Sequence, residues 1–301
     1  MRGQVLACFH DEWEVVLDSG DVVRASVRAR HFQELGKAEK LLVAGDFVDV
    51  DRSSGAHVIE RRLERRTTLS RLLPGARHEK EQVIVANADS FVGVASLDSP
   101  PINRRLLDRY LVIAEDAELD STVVLNKKDL VSESVWRPVA EAYRRAGYRV
   151  VPTSAVTGAG VPQLAESIRG RLTVFAGPSG AGKSSLLNAM EPGLGLKVRE
   201  VSRKTGKGKH TTTNVTIFPL GDGTLVADTP GFRELGLWRI DAGDLDMLFP
   251  EFRELAPDCR FSGCNHIPEP DCAVKRALEN GDLDAERYES YVRLFRELSE
   301  L

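Results

Sequence analysis

Two periodicities divide this chain. Up to about residue 65, apolar and polar positions alternate in short runs, at 3–9, 13–17, 22–27, 47–50 and 57–59, with no long stretch of helical spacing. Ser19-Gly20-Asp21 and Ser53-Ser54-Gly55 supply turns between them. Short strands at this density predict a small β-barrel. An OB-fold fits the count, and an SH3-like barrel fits it nearly as well. From about residue 80, apolar strand candidates at 83–86, 91–95, 122–125, 149–151, 172–176, 215–220 and 225–227 appear. They alternate with amphipathic helix candidates at 103–114, 136–146, 161–169 and 182–190. That alternation predicts a mostly parallel sheet covered on both faces. Beyond about residue 241 the chain is helical again, and 284–300 sets Tyr288, Tyr291, Leu294, Phe295 and Leu298 on one helix face. The expected division is an OB-like barrel over 1–68, an α/β domain over 69–240 and a helical domain over 241–301.

Composition narrows the setting more than the fold. A hydrophobic share of 42% and a charged share of 29% belong to a folded globular chain. No run reaches the ~18 apolar residues of a membrane span, and the first residues lack the apolar core of a signal peptide. The expectation is a cytoplasmic protein with no membrane partner. The net charge of −4 is unevenly spread. Residues 241–301 carry 15 acidic against 7 basic side chains, while Arg61, Arg62, Arg65, Arg66 and Arg71 surround only Glu64. A second basic run, Arg199, Arg203, Lys204, Lys207 and Lys209, precedes His210. Such runs are commonly solvated faces. The first is expected either to meet RNA phosphates or to clasp the acidic residues of 241–301.

The chemistry is concentrated in five short motifs. Gly177-Pro178-Ser179-Gly180-Ala181-Gly182-Lys183-Ser184, followed by Ser185, stands between an apolar strand and a helix, the context a phosphate-binding loop requires. Its glycines let backbone N–H groups turn toward phosphate oxygens at a helix N-terminus. Lys183 is expected at the β- and γ-phosphates and the Ser184 hydroxyl on Mg²⁺. Asn126-Lys127-Lys128-Asp129 follows the strand at 122–125. A carboxylate there accepts both the ring N–H and the exocyclic amine of guanine, and adenine would leave it desolvated and unpaired. Thr153-Ser154-Ala155 suits a turn whose amides meet the guanine oxygen. Asp228-Thr229-Pro230-Gly231 is expected to hold Mg²⁺ through water at Asp228 and the γ-phosphate at Gly231. Thr211-Thr212-Thr213 should add a second Mg²⁺ hydroxyl from Thr212 or Thr213.

The order of these motifs is permuted: the Asn-Lys-x-Asp and Ser-Ala elements precede the phosphate loop instead of following it. Permutation keeps the ligand shell while moving the chain ends. It also runs the segment after Gly231 directly into the C-terminal domain. Phe232 stands where many GTPases place the glutamine that orients the attacking water, so slow intrinsic turnover is expected. His210 can accept a hydrogen bond from that water, or be a solvent-exposed switch histidine.

Cys259-x4-Cys264-x-His266-x5-Cys272 supplies three thiolates and one imidazole, the closed tetrahedral set of a structural Zn²⁺ site. A disulfide framework is a poorer reading in a reducing compartment. Cys8, distant from the others, is expected in the core.

Together these residues resemble the circularly permuted GTPases called ribosome small-subunit-dependent GTPase A (RsgA), over essentially the whole chain. Gly45-Asp46-Phe47-Val48-Asp49-Val50 and Gly208-Lys209-His210-Thr211-Thr212-Thr213 add to the likeness. The resemblance implies an OB-fold barrel and a role in late assembly of the small ribosomal subunit. It further implies rRNA contact and weak GTP hydrolysis to GDP that the subunit stimulates, with His210 as the switch histidine. One Zn²⁺ per chain, Mg²⁺ with the nucleotide, and a monomer complete the expectation.

Overall fold

The computed structural model describes residues 1–9, 12–27, 42–52, 55–72, 81–196, 215–228, 237 and 239–300. Among them, strands β1 (Arg2–Phe9), β2 (Glu12–Leu17), β3 (Val22–Val27), β4 (Phe47–Asp51) and β5 (His57–Arg62) close a barrel in the order β1-β2-β3-β5-β4. β3 and β5 pair in parallel, and β4 returns to β1 to complete the ring. That Greek-key closure with one parallel pair is the OB connectivity and removes the SH3-like alternative. Alternation sends Val5, Val15, Leu17, Ala25, Val48, Val50 and Ile59 into a common core. A register shift between Val5 and Ala7 lets β1 pair with β2 along its whole length and with β4 at its start. Cys8 is half-buried at the far end of β1.

β6 (Thr68–Leu72) and β7 (Glu81–Ala86) form an antiparallel ribbon. The apolar pattern predicts only β7, because the two apolar residues of β6, Leu69 and Leu72, stand three apart across a register shift. The chain resolves into two compact units. One takes in Met1–Ser90, Ile168–Phe175 and the described residues 215–228; the other holds Phe91–Ser167, the described residues 176–196, and Leu237–Leu301. The second unit carries β8 (Ser90–Ser96), α1 (Arg104–Asp116), β9 (Asp120–Asn126), α2 (Glu133–Arg145), β10 (Arg149–Pro152), α3 (Val161–Ser167) and α4 (Lys183–Met190). Its strands run in the order β10-β9-β8, with β10 parallel to β9. β8 is buried along its whole length and β9 beyond its first residue, the mark of a parallel sheet covered on both faces. In the first unit, β11 (Leu172–Ala176) lies parallel to β13 (Leu225–Asp228), and β12 (Thr216–Pro219) adds antiparallel to β13.

The remaining helices, α5 (Pro250–Leu255), α6 (Ala273–Asn280) and α7 (Ala285–Ser299), belong to the second unit. α7 starts where the Asp284 side chain caps the Arg287 amide, and it lays Arg287, Tyr291, Leu294 and Leu298 inward. Arg287 is fully buried. Its guanidinium donates to both Glu251 oxygens, at 2.7 and 3.0 Å, and to Asp108 Oδ1 at 2.8 Å, and stacks over Phe249. Asp108 Oδ1 also accepts the Tyr143 hydroxyl at 2.8 Å. Around this centre, Arg104 meets Asp284, Arg105 meets Glu289, and Arg109 meets Glu297.

Three carboxylates of the C-terminal segment, Asp284, Glu289 and Glu297, are thus matched to arginines of α1. Three arginines of the run at 61–71 are paired within the first unit. Arg65, with its side chain only 10% exposed, donates to both oxygens of the buried Asp46 at 2.6 and 2.9 Å. Arg61 pairs with Asp49 and Arg66 with Asp89. Arg65 is therefore a brace of the barrel, while Arg61 and Arg66 stay largely exposed.

Candidate functional site

The phosphate-loop residues sit where the sequence requires them, between β11 and α4. Two glycines there have no substitute. A Cβ on Gly177 would lie 2.3 Å from the Val94 carbonyl oxygen. One on Gly182, at φ +93°, would lie 2.3 Å from the Asn126 amide nitrogen. α4 begins directly after Gly182, with Leu186 N–H donating to the Gly182 carbonyl at 2.9 Å. Ala181 is buried, Ser179 is exposed, and Gly180, Ser184 and Ser185 are partly exposed around the helix start. Lys183 Nζ donates to the Gly177 carbonyl at 2.7 Å, so the lysine folds back over its own loop.

Asn126 joins three motifs at one point. Its side-chain amide donates to the Ala181 carbonyl at 2.9 Å, and its Oδ1 accepts the Thr153 hydroxyl at 3.1 Å. Its backbone carbonyl receives Leu97 N–H, and Lys128 N–H donates to the Thr153 carbonyl. Asn126, Thr153 and Ser154 are buried, so this junction is fixed from within. The sequence reading missed Thr153 as the group that sets the Asn126 amide. Lys127 takes the left-handed conformation at φ +65°, and its ammonium donates to the Ser99 carbonyl. Burial lowers its pKa from the ordinary lysine value, against the opposing pull of Asp98 and Asp129. The turn Lys128–Leu130 then presents Asp129 to solvent. Ser154 Oγ accepts Thr157 N–H at 3.1 Å, and the partly exposed Ala155 begins the open part of that loop. Phosphate loop, Asn-Lys-x-Asp and Ser-Ala residues are thus brought together in one unit, Pro178 among them.

Asp228 closes β13, opposite Phe175 on β11 and Thr216 on β12. His210, Thr212, Thr213 and Gly231, together with the basic run at 199–209, lie outside the described residues.

The cysteine cluster is assembled in the second unit. Cys259 Sγ, Cys264 Sγ, Cys272 Sγ and a ring nitrogen of His266 all lie within 4.8 Å of one another, a set able to hold a metal ion. Cys259 Sγ lies 3.9 Å from Cys272 Sγ, and His266 Nδ1 lies 3.6 and 3.4 Å from these two sulfurs. Burial pushes the Cys264 thiol up to about 12. At Cys259, backbone N–H donors outweigh burial and bring the thiol below its ordinary value. Burial disfavours the His266 imidazolium, yet Asp246 and the Cys272 sulfur raise it to about 9. Metal uptake at such a site releases protons. Asp246, whose Oδ2 lies 3.4 Å from His266 Nε2, fixes the ring from behind and carries no signature in the sequence.

Residues 62–238 match the RsgA GTPase family. The chain belongs to that family. It is, by that membership, a GTP hydrolase with a circularly permuted core. The chain is 44% identical over 289 residues to the small ribosomal subunit biogenesis GTPase RsgA of Gemmatimonas aurantiaca, covering 95% of this chain and 94% of the relative. A protein of the same name from Thermotoga petrophila is 39% identical, with 99% and 97% covered. The crystal structure of YjeQ from Thermotoga maritima superposes with a TM-score of 0.79 at 35% identity, covering 99% of this chain and 98% of that one. YloQ, described as a circularly permuted GTPase, gives 0.75 at 31% identity, with 99% and 95% covered. No helix among the described residues is long and apolar enough to cross a membrane.

Proposed function

We infer that this RsgA-family chain acts in biogenesis of the small ribosomal subunit, binding that subunit and its rRNA late in assembly and hydrolysing GTP to GDP and phosphate with subunit-stimulated turnover. The observation that carries the reading is near-complete coverage, on both sides, of relatives named for that role. In this reading, Gly177 to Ser185 cradle the phosphates, with Lys183 swinging from the Gly177 carbonyl to the β- and γ-oxygens. Asp129 reads the guanine edge, while Asn126 holds the base loop to the phosphate loop with one amide hydrogen left over. Lys127, Lys128, Ser154 and Ala155 complete the base pocket. Ser184, a switch threonine (Thr212 or Thr213) and, through water, Asp228 attend Mg²⁺. Gly231 meets the γ-phosphate, and His210 positions the water. The three-part division at 68 and 240, a monomer, and a cytoplasmic setting belong to the same proposal.

GTP hydrolysis titrated with purified small subunits tests this. Turnover is expected to be slow alone and to rise with subunit concentration; a flat titration would reduce the chain to a GTP-dependent binding switch. His210→Ala should lower the stimulated kcat much more than GTP affinity, because a positioned water matters in the transition state. Equal losses in both would reassign His210 to structure.

The metal proposed for the cysteine cluster is Zn²⁺, one per chain and structural. A tetrahedron with Zn–S near 2.3 Å and Zn–N near 2.0–2.1 Å has S···S edges of about 3.8 Å and S···N edges of about 3.6 Å. The three edges among Cys259, Cys272 and His266, at 3.9, 3.6 and 3.4 Å, lie close to these values, and Cys264 Sγ is within 4.8 Å of the other three ligand atoms. All four positions are filled by protein, leaving none for substrate. Elemental analysis of protein purified without chelators should return one zinc, and Cys264→Ser should lose it.

A further inference from the structure

The metal-ligand loop contains a carboxylate that no chemistry so far has used. Glu269 accepts Asn265 N–H on Oε1 at 3.1 Å and Ile267 N–H on Oε2 at 3.2 Å. One side chain thus bridges the two amides flanking His266. That residue between them has φ +59°, a left-handed conformation that non-glycine residues rarely adopt. Two tyrosines of α7 hold the same turn from the other side. Tyr288 Oη donates to the His266 carbonyl at 2.8 Å, and Tyr291 Oη donates to the Asn265 carbonyl at 3.0 Å. Phe252 meets the imidazole edge-on. Both flanking amides and the Asn265 and His266 carbonyls are therefore engaged by protein, and the ring is left with Nδ1 facing the sulfurs and Nε2 facing Asp246.

We propose that Glu269 is a positioning residue of the metal centre: by stapling the backbone on both sides of His266 it aims Nδ1 at the sulfurs before metal arrives, and so sets metal affinity. The Cys3His donor set itself belongs to the zinc reading, on which this inference rests. The staple adds that the histidine corner is built by hydrogen bonds that need no ion. Without the carboxylate, the turn at His266 loses the two bonds that favour its left-handed backbone, and metal must then bear the cost of ordering it. Partners of this kind behind a ligand typically govern about 10–100-fold in metal affinity.

The test uses the full-length chain and zinc itself, in competition with a chelating dye. Glu269→Ala should bind zinc about 10–100-fold more weakly than the parent. Glu269→Gln, which keeps one acceptor oxygen, should fall between the two. With Co²⁺ in place of zinc, the visible bands of Glu269→Ala should move toward those of His266→Ala, a change that a general loss of stability would not produce. Zinc affinity in Glu269→Ala equal to the parent's overturns the proposal, as does weaker binding with unchanged Co²⁺ bands. Should the alanine variant fail to fold, Glu269→Gln decides by the same two measurements. A parent that binds no zinc at all removes the metal reading itself, whereas a zinc-loaded parent with an indifferent Glu269 removes this inference alone.

Discussion

Arg287→Ala is expected to lower stability by about 3–5 kcal/mol, the cost of breaking a buried ion pair from one side. The guanidinium holds both Glu251 oxygens and one oxygen of Asp108, and its side chain is 1% exposed. Its removal leaves two buried carboxylates without three donated hydrogen bonds, in a site lined by Tyr143, Tyr148 and Phe249. In a chain of this size the melting temperature should fall by roughly 5–8 °C. The comparison that isolates charge from packing is Arg287→Met with Asp108→Leu and Glu251→Leu. Replacing a buried ionic cluster wholly by apolar groups is often neutral, so the triple variant should recover most of the loss. Calorimetry of both variants checks this. A single variant within about 1 kcal/mol of the parent would mean that the cluster is solvated.

Asp129→Asn is expected to weaken GTP binding by on the order of 10³-fold or more and to raise affinity for xanthosine triphosphate. Sites that hydrogen-bond a substrate group reject partners that leave those bonds unmade by factors of this size. The carboxylate accepts two guanine donors, the ring N–H and the exocyclic amine. An asparagine amide would face the amine donor-to-donor, while the carbonyl of xanthine at that position would accept from it. Asp129 is exposed on a short turn, so its replacement spares the fold. Asn126→Ala differs in kind: it breaks the bonds to Ala181 and Thr153 and should cost both affinity and stability. Direct titration with the two triphosphates separates the cases, and unchanged GTP affinity in Asp129→Asn would take that residue out of the base pocket.

Much of the architecture was legible because local patterns and global fold agree. β3 follows its alternation and β11 its apolar run, and α1 and α7 start beside Asn103 and Asp284, whose side chains cap them. β6 was hidden because its two apolar residues, Leu69 and Leu72, stand three apart across an irregularity between Leu69 and Ser70, instead of in alternation. Long-range charge pairing was the least legible. Arg65 stands among arginines, yet its partner Asp46 lies 19 residues earlier; Arg104 meets Asp284 across 180. One signal was present. Position 287 falls one turn before Tyr291 on the inward face of α7, and a charge there requires a buried partner. The metal ligands announced themselves by spacing, whereas Asp246 and Glu269 act through geometry that spacing does not encode.

The buried arginine also imposes a schedule on synthesis. Asp108 and Arg287 are 179 positions apart. At roughly 5–20 residues per second, the helix bearing Asp108 emerges on the order of 10–40 s before its counter-charge exists. During that interval the nascent α/β segment carries, on a face destined for burial, a carboxylate whose partner has yet to be made. A chain stalled between these points is therefore expected to pack that face poorly, because burying a carboxylate without its partner costs free energy.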